Sequence, residues 1–89
     1  MRHELKIWKI HFDRILSKRK RVEIRKEDDR KFNVGDELVL SVWDTEILKF
    51  TGEQCKVDVT FVHRGMGMKD QFAALCITEP REVVNHEPK

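Results

Sequence analysis

From Glu53 to Val62 the chain reads EQCKVDVTFV, and Cys55, Val57, Val59 and Phe61 alternate there with Lys56, Asp58, Thr60 and Val62. A period of two sustained over that length suits a strand with one buried face; a helix would repeat its apolar residues at three and four. The body of the fold is therefore a sheet. Leu5 and Ile7 alternate with Glu4, Lys6 and Trp8, which predicts a first strand. Phe12, Ile15 and Leu16 then follow helical spacing, so a helix is expected over about Lys9 to Arg19, placed at one end of the sheet. Val22 and Ile24 alternate with Glu23 and Arg25 and predict a second strand, with the apolar pair inward and the charged pair facing a cleft or solvent.

Phe32 to Asp36 reads as a turn leading into an apolar third strand over Glu37 to Trp43. Asp44 to Glu53 is expected to be a hairpin connection with Phe50 tucked beneath it, and His63 to Gln71 a glycine-bearing loop before a closing strand over Phe72 to Ile77. Five strands, one early helix and no βαβ repeat predict an α+β domain, a small mixed β-barrel with one or two short helices. The expected boundaries are residues 1–78 for the domain and 79–89 for a flexible tail, because TEPREVVNHEPK offers little to bury.

A chain of 89 residues has room for one core, so recognition and any chemistry share a single unit. Charged residues make up 38% of it, yet the net charge is only +2, too small for a long-range positive field. Distribution says more. Lys18, Arg19, Lys20, Arg21, Arg25 and Lys26 crowd around a single acid, Glu23, with Glu27, Asp28 and Asp29 immediately beyond. No run of roughly 20 apolar residues is present and the first residues lack a signal-peptide core, so a cytoplasmic, soluble monomer is expected. Cys55 and Cys76 are read as reduced core residues. His3, His11, His63 and His86 show no metal-ligand spacing and are read as surface or capping residues, with no metal or cofactor implied.

The spacing Lys20-x-x-Glu23-x-Arg25 carries the chemistry. On an extended strand Glu23 and Arg25 share a face, and Lys20 stands at the hand-over from the helix. Arg25 and Lys20 suit a phosphate, and the Glu23 carboxylate suits an exocyclic amine. The plainer alternative is a solvated face on which Glu23 and Arg25 merely pair. Trp8, on the polar face of strand one, is a candidate stacking platform, whereas Trp43 is expected at the barrel rim or core. Arg64 and Lys69, in the glycine loop, either close over a phosphate or remain solvated loop charges. Arg19, Arg21 and Lys26 would supply electrostatic approach for an anionic ligand.

At these residues the chain resembles the ASCH domains of the PUA-like superfamily, whose hallmark is Gly-x-Lys-x-x-Glu-x-Arg after a short helix. It is similar in particular to short bacterial and phage members, through HELKIW, FDRIL, EIRK, VGDELVL, a Trp-Asp, a Thr-Gly and the Arg-Gly loop with Gly67 and Lys69. The resemblance covers about residues 3–77. It implies a PUA-like barrel with the helix beside a cleft, and binding of RNA or a modified nucleotide through Lys20, Glu23 and Arg25. Two departures stand out: Lys18 occupies the usual glycine position, and Glu27-Asp28-Asp29-Arg30 carries an extra residue. An enzymatic branch, the bacterial acetylcytidine amidohydrolases, uses a Lys, a Thr and a later Glu; Glu23 holds the position of that Thr and has no hydroxyl to offer. Hydrolysis of a modified nucleoside, with Lys20 and Glu23 as acid/base groups, and a protein-interaction role stay open beside nucleic-acid binding, which is the expected function.

Overall fold

The computed structural model describes residues 1–85; residues 86–89, with His86, lie outside the described residues. Strand β1 (Arg2–Ile7) leads into helix α1 (Lys9–Leu16), followed by β2 (Val22–Lys26), β3 (Glu37–Asp44), β4 (Lys49–His63), β5 (Phe72–Ile77) and β6 (Arg81–Val84). The α+β class holds: one mixed six-stranded sheet and one short helix. Its order is β1-β3-β4-β5-β2, with β6 added to β4 and with β1 and β3 parallel. Phe12 and Ile15 of α1 are buried and join Leu38, Leu40, Val42, Cys55, Val57 and Leu75 in one apolar cluster.

Strand β4 pairs with three neighbours, β3, β5 and β6, which explains its length. Its first part pairs with β3 and its last part with β5, and a bulge between Val59 and Phe61 marks the change. One inserted residue shifts the alternation. Val57 and Val59 stay buried, Phe61 turns outward to 57% exposure, and Val62 takes the inner position against the core. The simple alternation expected through Phe61 thus ends one residue early. Phe50, expected beneath the hairpin, is also outside, 54% exposed and edge-on to Trp43 at 4.9 Å.

The paired strands do not close into a barrel. β1 and β2 form the two ends of the path and are not paired with each other. Registers show what each edge presents. Ile77 N–H donates to the Arg21 carbonyl and Glu27 N–H to that of Gln71, so the odd-numbered residues of β2 bond to β5. Val22 and Ile24 therefore turn their backbone groups toward the gap. Glu37 N–H donates to the Met1 carbonyl, which by the same logic turns the backbone of Lys6 toward the gap from the other side. Instead of a ladder, one side chain spans it: Arg25 Nη2 donates to the Lys6 carbonyl at 2.9 Å.

The segment expected to be a loose tail is ordered at its start. Arg81–Val84 pairs antiparallel with β4, and the Arg81 guanidinium reaches both oxygens of Asp58, at 2.7 and 3.1 Å, and also Glu37. Paired hydrogen bonds of this kind supply the anchorage that the segment's few apolar residues do not. Histidine 3, expected at the surface, is 3% exposed, with Nε2 2.8 Å from Asp36 and its ring against Phe32. Cys55 and Cys76 are both free thiols. Burial, with the nearby Glu23 charge, pushes the Cys55 thiol up to about 11 and keeps it protonated, while Cys76 is only half-buried on the outer face of β5.

Candidate functional site

The turn after α1 sets the position of Lys20. Lys18 N–H donates to the Ile15 carbonyl and Arg19 N–H to that of Arg14, the two bonds of a Schellman ending, and Lys18 sits in the left-handed region at φ 65°. That conformation reverses the chain and starts β2 within six residues of the helix. It also explains why glycine suits the position and why the helix stops at Leu16, short of the expected Arg19.

In β2 the charged pair meets a cleft as expected, but the apolar pair does not point inward. Glu23 is buried, whereas Val22 and Ile24 are 38% and 58% exposed. The cause is the strand's place at the gap: its inner face meets no opposing strand, only a cleft, where a carboxylate held by cations is better satisfied than a bare apolar side chain. Arg25 Nε and Nη2 both lie 2.8 Å from Glu23 Oε2, and Lys20 Nζ lies 3.0 Å from Glu23 Oε1. One carboxylate with two cations leaves the cluster net positive. Lys20 and Arg25 side chains remain 23% exposed, so each presents part of its head group to the cleft.

The cleft measures about 440 Å³ and is lined by Lys6, Ile7, Trp8, His11, Lys20, Val22, Glu23, Ile24 and Arg25. Trp8 caps the start of α1 through its backbone, with Phe12 N–H donating to its carbonyl at 3.0 Å, and its side chain makes no capping bond. The indole is left 61% exposed, roughly parallel to the His11 ring at 6.3 Å. Lys20 Nζ donates to His11 Nδ1 at 3.3 Å. An ammonium can only donate, so this bond places the ring proton on Nε2. Burial and the Lys20 charge lower the His11 pKa below its ordinary 6.5, which keeps the ring neutral at pH 7. His11 was not among the residues singled out by sequence; its spacing of three from Trp8 on a helix was the available signal. Lys6 was missed as well, because its contribution to the cleft comes through a backbone carbonyl.

The remaining sequence-derived candidates divide. Arg19 and Arg21 line an adjoining hollow that shares Lys20 and Val22 with the cleft. Arg21 lies 3.3 Å from exposed Glu79, and Lys26 lies 3.9 Å from Asp28. Arg64 and Lys69 line a different hollow of about 640 Å³, with Glu27, Lys31 and Phe72. Arg64 is held there: Nε and Nη2 donate to Glu27 at 2.6 and 2.8 Å, and Nη2 to the Phe32 carbonyl at 2.7 Å. Its partners tie the glycine loop to the segment after β2, away from Lys20 and Arg25. Trp43 is half-buried beneath the Lys6 ammonium, 3.8 Å from the ring centroid. Among the described residues no group of three or more His, Cys, Asp or Glu is placed to hold a metal ion, and no helix is long and apolar enough to cross a membrane.

The chain is similar to the "uncharacterized 12.9 kDa protein in GpA 3'region" of Escherichia phage P2, 38% identical over 60 residues that cover 67% of this chain and 52% of that protein. The chain thus spans about half the length of that relative. A family described as a domain of unknown function, DUF3850, matches residues 2–77, which takes in all of β1 to β5 together with the cleft, and the chain belongs to that family.

Proposed function

We propose that the cleft between β1 and β2 binds single-stranded RNA or a nucleotide, in the manner of an ASCH-type member of the PUA-like superfamily. The observation that carries this reading is the convergence of Lys20, Glu23 and Arg25 on one hollow beside an exposed indole. In the bound state Lys20 and Arg25 face phosphate oxygens of the nucleotide in the cleft, and Glu23 orients both cations or accepts from an exocyclic amine. Trp8 stacks on a base. The backbone groups of Ile24 that face the gap add a donor and an acceptor at the cleft's rim, and Arg19 and Arg21 attract the phosphate chain from the neighbouring hollow.

Fluorescence anisotropy with a labelled single-stranded RNA tests the proposal. Binding that weakens steeply with salt and is lost in Arg25→Ala is the expected result; absent or salt-insensitive binding would refute it. A hydrolase acting on a modified nucleoside is the second reading. One observation favours it, the neutral His11 imidazole hydrogen-bonded to the Lys20 ammonium, a pair suited to proton transfer. Turnover of acylated nucleosides above a Lys20→Ala control is its test.

A further inference from the structure

The strand that lines the cleft on one face carries an apolar surface on the other. Val22 lies opposite Cys76, and Cys76 opposite Phe61; Ile24 lies opposite Ala74, and Ala74 opposite His63. Directly opposed residues of antiparallel strands share a face, so these side chains form two rows running from the free edge of β2 across β5 to β4. The bulge between Val59 and Phe61 is what brings Phe61 into the first row. Without it the alternation that buries Val57 and Val59 would bury Phe61 too, yet the ring is 57% exposed. Two strand spacings, about 10 Å, separate it from the β2 edge.

The rim of this face is cationic. Lys18, Arg19 and Arg21 precede β2 and Lys26 ends it, against the exposed carboxylates of Glu79 and Asp28. Arg19 makes no ion pair among the described residues. A second copy docked face to face about a two-fold axis would bring the same basic rims together, which disfavours self-association as the use of this surface. A polymer with flat apolar faces and a negative backbone matches it: bases against Phe61 and the aliphatic rows, phosphates on the rim.

Building on the cleft reading, we infer that the ligand is a single-stranded RNA of several nucleotides and not a lone nucleotide, with one base in the cleft and the next ones crossing the β2 edge onto Phe61. The strand β2 then works on both faces, Glu23 and Arg25 within, and Val22 and Ile24 at the cleft's edge and on the outer rows. Arg19 and Arg21, at the corner between the two surfaces, hold the phosphates that make the crossing.

The test compares two probes on the full chain, a mixed-sequence RNA hexamer and the four ribonucleoside 5′-monophosphates, in the wild type, Phe61→Ala and Ile24→Glu. Both substituted side chains are more than half exposed, and thermal melts verify folding. The hexamer is expected to bind at least tenfold more tightly than any monophosphate. Phe61→Ala, which lies outside the cleft, should weaken the hexamer about tenfold, in line with the loss of one stacked base, and leave the monophosphates unchanged; Ile24→Glu, on the edge that cleft and outer face share, should weaken the hexamer at least as much. A hexamer bound no better than a monophosphate, or indifferent to both substitutions, would overturn this inference and leave the cleft reading standing. Failure of both probes to bind would overturn the cleft reading itself. Equal binding of a DNA hexamer would overturn the assignment to RNA, and a change of sedimentation in Phe61→Ala without a change in RNA affinity would assign the face to a second copy.

Discussion

Replacing Lys18 with glycine should stabilise the protein. Lys18 occupies the residue after the helix cap at φ 65°, a conformation that costs a residue with a Cβ about 1–2 kcal/mol and costs glycine almost nothing. Glycine gives back part of that gain, roughly 0.5–1 kcal/mol, through its greater freedom in the unfolded chain. The Lys18–Glu79 ion pair is lost too, but at 3.7 Å between side chains 61% and 53% exposed its worth is a few tenths of a kcal/mol at most. The net expectation is about 0.5–1 kcal/mol, or a Tm rise of about 3–6 °C for a domain of this size. Differential scanning calorimetry of the wild type, Lys18→Gly and Lys18→Ala measures it. Alanine keeps the strained backbone while removing the charge, so it should stay within about 0.5 kcal/mol of the wild type. A glycine variant no more stable than the alanine variant would refute the strain argument.

Three further outcomes follow from the buried carboxylates. Hydrogen bonds from Arg64, aided by the Phe32 amide and opposed by burial, hold Glu27 down at about 2 against an ordinary 4.5. Burial pushes Asp36 up, but His3, the Asn33 amide and the Met1 amino group outweigh it and hold it at about 2 against 3.8. Both groups are depressed in the fold, so their contribution is whole above pH 4.5 and disappears as the pH falls toward 2; for Glu27 it is on the order of 2–3 kcal/mol. Urea midpoints that stay level between pH 5 and pH 2.5 would contradict this. Arg64→Ala leaves Glu27 buried and uncompensated and should cost about 2–4 kcal/mol in urea unfolding, with RNA affinity unchanged because Arg64 stands apart from the cleft. Glu23→Gln removes the shared partner of Lys20 and Arg25 and should cost about 1–3 kcal/mol by the same assay, less than a fully buried pair because both cations keep some water contact.

The parts of the fold governed by local pattern were legible in the sequence. The start of α1 and the presence of strands β1 to β5 follow from apolar spacing, although β4 begins at Lys49, within the segment expected to be a hairpin connection, and the Lys20, Glu23 and Arg25 spacing anticipated three side chains on one hollow. What escaped was decided by distant partners. A bulge at Thr60 depends on β4 changing neighbours, so Phe61 could not be assigned an outward position from alternation alone. The inward turn of Glu23 depends on β2 ending the sheet beside an open gap, which no property of VEIRK announces. Arg64 reaches Glu27 across 37 positions and Arg81 reaches Glu37 across 44, so one cation expected at the ligand and one segment expected to be loose both serve the framework. The left-handed Lys18 is a half-way case. Its departure from glycine was visible, and only the φ angle shows that the backbone kept the glycine conformation.

The salt dependence of RNA affinity decides whether the cleft holds phosphate. Each phosphate neutralised on a single strand adds about 0.7 to the slope of log affinity against log salt. A steep slope is expected for the wild type, with a loss of about 1.4 from it when Lys20 and Arg25 are both replaced by alanine. An unchanged slope in that double variant would place the phosphates elsewhere and contradict the assignment of the cleft.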